Sequence, residues 1–116
     1  MEDIQQIGLN SKTRKRRQVV DGENAFFNYG GANIPELDIS NLRSMERMFF
    51  SARNFVGAGI EDWNTSGINN MNQMFDGATN FNADLTGWNV SKVSRMTKMF
   101  NNAVSFVQDL TTWDVK

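Results

Sequence analysis

The chain has 116 residues, enough for one domain, with 40% apolar and 22% charged residues and a net charge of −1. It contains no cysteine and no histidine. That excludes disulfides, thiolate nucleophiles and Cys-type metal sites, and it removes the usual neutral-pH base and the commonest transition-metal ligand.

In chain order, residues 1–20 read as a flexible basic arm. They hold five basic and two acidic residues, whereas the remainder holds seven basic and eleven acidic. The basic residues are Lys12, Arg14, Lys15, Arg16 and Arg17. Such a run suits contact with a nucleic acid or another anionic partner, or nuclear import, or proteolytic processing; it is equally a solvated tail. The start Met1-Glu2-Asp3-Ile4-Gln5-Gln6 has no basic segment leading into an apolar one, so an intracellular or particle-associated product is expected over a secreted one. No apolar run approaches the ~18 residues of a membrane span. Residues 21–33, with Gly22, Gly30 and Gly31 around Phe26, Phe27 and Tyr29, read as a degenerate repeat or cap.

From residue 34 the chain repeats itself with a period of about 25, the mark of stacked supersecondary units. Met48-Phe49-x-x-Ala52-x-x-Phe55 returns as Met74-Phe75-x-x-Ala78-x-x-Phe81 and as Met99-Phe100-x-x-Ala103-x-x-Phe106. The units are 34–59, 60–84, 85–109 and a partial 110–116. In the third copy Val93, Met96, Met99, Phe100, Ala103 and Phe106 fall on one stripe of a helix, with Lys92, Arg95, Lys98 and Asn102 away from it. Ser40, Ser66 and Ser91 precede the stripes and suit helix N-caps. Between stripes, Leu85-x-x-Trp88-x-Val90 is matched around Trp63, Trp113 and Leu37. This is the L-x-x-L-x-L spacing of a leucine-rich repeat and predicts a short strand. The expected fold is therefore α/β: a short leucine-rich-repeat-like solenoid of about three strand–helix repeats with parallel strands. Its methionines, phenylalanines and tryptophans are expected to be core.

The polar positions between them are candidate turn groups. Asp38, Asn64, Asn89 and Asp114 are expected to bond backbone after each Leu/Trp segment. Asp84 and Asp109, one repeat apart, stand near Glu61 and Asp62 in sequence register. A calcium column is one reading of them, and a turn or capping role is the better one. No residue combination forms a catalytic constellation, so no catalytic, cofactor or metal residue is assigned and the chain is expected not to be an enzyme.

The string Met-Phe-x-x-Ala-x-x-Phe-Asn-x-Asp-Leu-x-x-Trp-Asn-Val-Ser-x-Val, residues 74–93, resembles the BspA-like leucine-rich-repeat surface proteins and their mycoplasma-lipoprotein type of 25-residue repeat. The resemblance covers about residues 34–116. It implies a non-enzymatic protein, often at a cell surface and adhesive, and it defines no binding residues. The chain departs from the bacterial pattern in showing no signal peptide, lipobox cysteine or wall anchor.

The leading functional expectation is a protein-interaction or structural module of a larger complex or particle, such as a virion. The alternatives are an adhesin-type surface protein and a nucleic-acid accessory held by the basic arm. The last unit shows its Leu-x-x-Trp segment without a following Met-Phe segment. The final apolar layer, with Trp113 and Val115, is therefore expected to be open and to serve assembly.

Overall fold

The computed structural model describes residues 9–10, 17–19 and 21–113. Regular structure within it amounts to three short strands: β1 (Leu9–Asn10), β2 (Arg17–Val19) and β3 (Leu37–Asp38). β2 pairs antiparallel with β1 and parallel with β3, with Arg17 opposite Leu37. No helix occurs among the described residues. The expected α/β solenoid of strand–helix repeats is therefore overturned.

Chained β-turns stand where helices were expected. In the first full copy the N–H groups of Met48, Phe50, Ala52 and Phe55 donate to the carbonyls of Met45, Arg47, Phe49 and Ala52, each three residues back. The later copies repeat this, as in Met74 to Met71, Asp76 to Gln73 and Ala78 to Phe75. Every fourth residue has a positive φ: Arg47 and Ser51, Gln73 and Gly77, Lys98 and Asn102. A right-handed helix needs negative φ throughout, so these positions break it once per turn. Apolar spacing of three residues is common to a helical stripe and to consecutive turns, which is why the sequence pattern led to the wrong element. The same holds for Leu-x-x-Trp. Trp63, Trp88 and Trp113 donate their N–H to Ile60, Leu85 and Leu110 three residues back, so these segments are turns and not strands.

Turns satisfy only alternate backbone N–H groups internally. The others are satisfied by the neighbouring copy. Met45, Arg47, Phe49 and Ser51 donate to the carbonyls of Asn70, Asn72, Met74 and Asp76; Met71, Gln73, Phe75 and Gly77 donate in turn to Arg95, Thr97, Met99 and Asn101. Residues 24–28 join the same ladder, with Asn24, Phe26 and Asn28 donating to Glu46, Met48 and Phe50. Asn24 and Asn28 also carry positive φ. The chain thus stacks four turn-built coils, held by i−3 and inter-coil backbone bonds.

The core follows the stack. Phe26, Phe49, Phe75 and Phe100 form a column of near-parallel rings 5.2–5.6 Å apart. Phe55, Phe81 and Phe106 form a second column, joined to the first within each coil at 4.0–4.3 Å. Trp63 and Trp88 stack beside them at 6.3 Å. Met45, Met48, Met71 and Met74 are fully buried. Offset ring stacking adds to the area removed from water, which contributes about 1.5–3 kcal/mol per large side chain. The first copy is one residue longer than the second. Gly57 and Gly59 follow its Phe55, both at φ near +104°. A Cβ on Gly57 would lie 2.5 Å from that of Ala83 and 2.6 Å from the Phe81 ring.

Candidate interaction surface

The polar residues between the apolar anchors hold turns. Asp38, Asn64 and Asn89 each accept, on Oδ1, the N–H of the residue two further on: Ser40, Ser66 and Ser91. These serines are therefore acceptors' partners in Asx turns and not helix caps. Asp84 and Asp109 hold Thr86 and Thr111 in the same way, at 3.0 and 2.9 Å. Both carboxyls lie below the usual aspartate range. For Asp84 the Thr86 hydroxyl is the larger cause and the Thr86 N–H the second; for Asp109 the Thr111 N–H leads, followed by its hydroxyl. Among the described residues no three acidic side chains come together as a metal site.

Open grooves run along this Asx edge. One of about 480 Å³ is bordered by Glu36, Asp38, Ser40, Asp62, Trp63 and Asn64. Its Asp38 and Asn64 already carry turn bonds. Among the described residues no buried side-chain nitrogen or oxygen lacks a partner.

The last coil differs from those before it. Met71, Phe75, Phe81 and Leu85 are 0% exposed and Trp88 is buried, whereas their equivalents Met96, Phe100, Phe106, Leu110 and Trp113 are only half-buried. Val104 and Val107 on the same coil are 77% and 78% exposed. Trp113 keeps its interior contacts on one side only: its indole N–H donates to the Leu85 carbonyl at 2.9 Å, and its ring tilts against Phe100 at 6.5 Å. The equivalent Trp88 makes the same bond to Ile60 but is covered by the following coil.

The structure thus places Trp113 on an open apolar face. Val115 lies outside the described residues, as do Lys12, Arg14, Lys15 and Arg16. Arg17 is in β2, away in sequence from the face that Trp113 joins. The face also has a backbone component that the residue pattern did not reveal. The N–H groups of Met96, Lys98, Phe100 and Asn102 correspond to the inter-coil donors of earlier copies and have no acceptor among the described residues. Only the alternation of φ, invisible at Arg47, Gln73 and Lys98 from residue type, brings them to one edge.

No curated protein and no solved structure matches the chain. A family model does match, over residues 19–116; the family is described as Mycoplasma protein of unknown function, DUF285. It is related to the BspA-like mycoplasma repeat proteins that the repeat resembles. The match covers most of the chain, which therefore belongs to the family described as Mycoplasma protein of unknown function, DUF285.

Proposed function

We propose that the chain is a non-enzymatic protein-interaction or structural module, and that its binding surface is the face formed by the last coil. The observation that carries this reading is the contrast between equivalent residues. Phe75 and Phe81 are wholly buried, while Phe100 and Phe106 are left half-covered beside exposed Val104 and Val107. Contiguous apolar surface rimmed by polar side chains is the usual character of a protein contact. Lys98, Asn101 and Asn102 supply that rim here. The absence of cysteine and histidine from the sequence also fits a module whose work is binding.

Hydroxyl-radical footprinting tests the reading. Met96, Phe100, Phe106 and Trp113 should be oxidised readily in the purified chain. They should be protected when the chain is footprinted in native extract of the cells that express it. Unchanged oxidation of all four would overturn the proposal.

A further inference from the structure

The Asx edge carries a chemical group that its turns do not use. Of the chain's asparagines, only Asn64 and Asn89 have a serine or threonine two residues on with no proline between, as Asn64-Thr65-Ser66 and Asn89-Val90-Ser91. Both occupy the same Asx turn one repeat apart, with Oδ1 accepting the serine N–H at 3.1 and 2.9 Å. At Asn64 the Ser66 hydroxyl donates to the same oxygen at 2.7 Å. An Asx turn needs only that oxygen, and aspartate supplies it equally well. Asp38 holds Ser40, Asp84 holds Thr86 and Asp109 holds Thr111 in this way. Asparagine adds an NH2 group. Elsewhere the stack uses that group: Nδ2 of Asn54, Asn70 and Asn101 donates to Gly30, Glu46 and Asp76. Among the described residues no such bond is made by Nδ2 of Asn64 or Asn89.

Local packing aims these two amides outward. The residue between each asparagine and its serine is in the core: Thr65 is 1% and Val90 2% exposed. Trp63 and Trp88, on the other side, are buried as well. With both chain neighbours anchored, Asn64 and Asn89 are exposed; Ser91 is exposed beside its asparagine and Ser66 half-buried. The two donors on Oδ1 of Asn64 hold its amide in one orientation. The groove of about 480 Å³ borders Asn64, and so does a second of about 390 Å³ lined by Ser40, Arg43, Ser66, Asn69 and Lys92, so a sugar ring has room beside it. We propose that Asn64 and Asn89 are acceptors for N-linked glycosylation, presented by the Asx turn, from a sugar activated by phosphate at its anomeric carbon. Nδ2 attacks that carbon and forms the C–N bond; the C–O bond to phosphate breaks and its electron pair leaves with the phosphate. One Nδ2 proton passes to a base of the transferase, and no oxidant or reductant is needed. The phosphate is carried by a nucleotide or by a polyprenyl pyrophosphate, and both give the same product bond. The assignment stands apart from the reading of the last coil as the binding surface.

The test isolates the chain from the cells that express it and maps its peptides by mass spectrometry, with electron-transfer fragmentation to keep any sugar on its residue. Peptides holding Asn64 and Asn89 should carry added sugar mass at those residues. A single hexose or a short hexose chain identifies the nucleotide-sugar donor, and a larger preassembled oligosaccharide the lipid-linked one; either supports the acceptor assignment. The double variant Asn64→Asp, Asn89→Asp keeps both turns, since Asp38 makes the same one. It should fold as the parent does and lose all of the added mass. Asp84→Asn, expressed in the same cells, completes the acceptor pattern ahead of Leu85 and Thr86 in the same turn and should gain a third modified site. Unmodified Asn64 and Asn89 in the native chain would overturn the proposal, as would sugar mass that persists in the double variant. No gain at position 84 would overturn the turn as the presenting geometry.

Discussion

Truncating the same aromatic position in two successive coils should cost very different amounts. Phe75 is 0% exposed and lies between Phe49 and Phe100, each 5.6 Å away, with Phe81 at 4.0 Å and Trp88 at 6.2 Å. Replacing a phenylalanine so enclosed by alanine costs about 3–5 kcal/mol in transfer and cavity terms. A domain of this size has about 6–17 kcal/mol in total, so Phe75→Ala removes a large part of it. Phe100 has Phe75 on one face, Phe106 at 4.2 Å and Trp113 at 6.5 Å, and among the described residues no ring on its other face. With one side already wet, Phe100→Ala should cost roughly half as much, about 1.5–2.5 kcal/mol. Urea unfolding followed by tryptophan fluorescence reads the difference. With a slope of about 1–3 kcal/mol per M, the two midpoints should differ by roughly 1 M. Equal losses would mean that the last coil is as enclosed as the interior, and would refute the open face.

Further outcomes follow from the backbone and the Asx turns. Gln73 sits at φ 53° and bonds Arg47 and Asp76 through its side chain; Gln73→Val should lower stability by about 1–3 kcal/mol. Lys98→Gly, at φ 55° on an exposed position, should be neutral or stabilising by up to about 1 kcal/mol. If both unfold alike in thermal melts, the left-handed assignment is wrong. Gly57→Ala meets both a left-handed φ and the Ala83 and Phe81 contacts, so a loss of about 2–4 kcal/mol is expected; an unchanged melting temperature contradicts it. Asp84 and Asp109 have folded pKa values below the ordinary one. Their contribution is complete above the unfolded pKa of about 3.9 and is lost as pH falls through the lower folded values. The double variant Asp84→Asn, Asp109→Asn should therefore lose less stability than the parent between about pH 5 and pH 2. Parallel declines in melting temperature would count against these bonds.

The period, the stacking and the apolar set were legible in the residues. Met, Phe and Trp recur at fixed places because each must meet its own counterpart one coil away. The turn roles of Asn64, Asn89, Asp84 and Asp109 were legible too, since a short side-chain oxygen two residues before a free N–H has an obvious use. The element type was not legible. A spacing of three serves a helix and a chain of turns equally, and the residues that decide between them are the left-handed ones. Gly77 and Asn102 carry a signal for that conformation. Arg47, Gln73 and Lys98 carry none; at Arg47 and Gln73 the pairing of their N–H groups with the neighbouring coil, and not local preference, holds them there. The row of backbone donors beside Trp113 depends on φ alone and could not be read from side chains.

Amide hydrogen exchange on the free chain, residue by residue, tests the turn ladder and its open edge most directly. The amides of Met71, Gln73, Phe75 and Gly77 should exchange slowly, since each is held by the next coil. Those of Met96, Lys98, Phe100 and Asn102 should exchange fast, while Met99, Asn101 and Ala103 between them are slower because their turn bonds remain. Uniform protection from Met96 to Phe106, as a helix would give, would contradict the account.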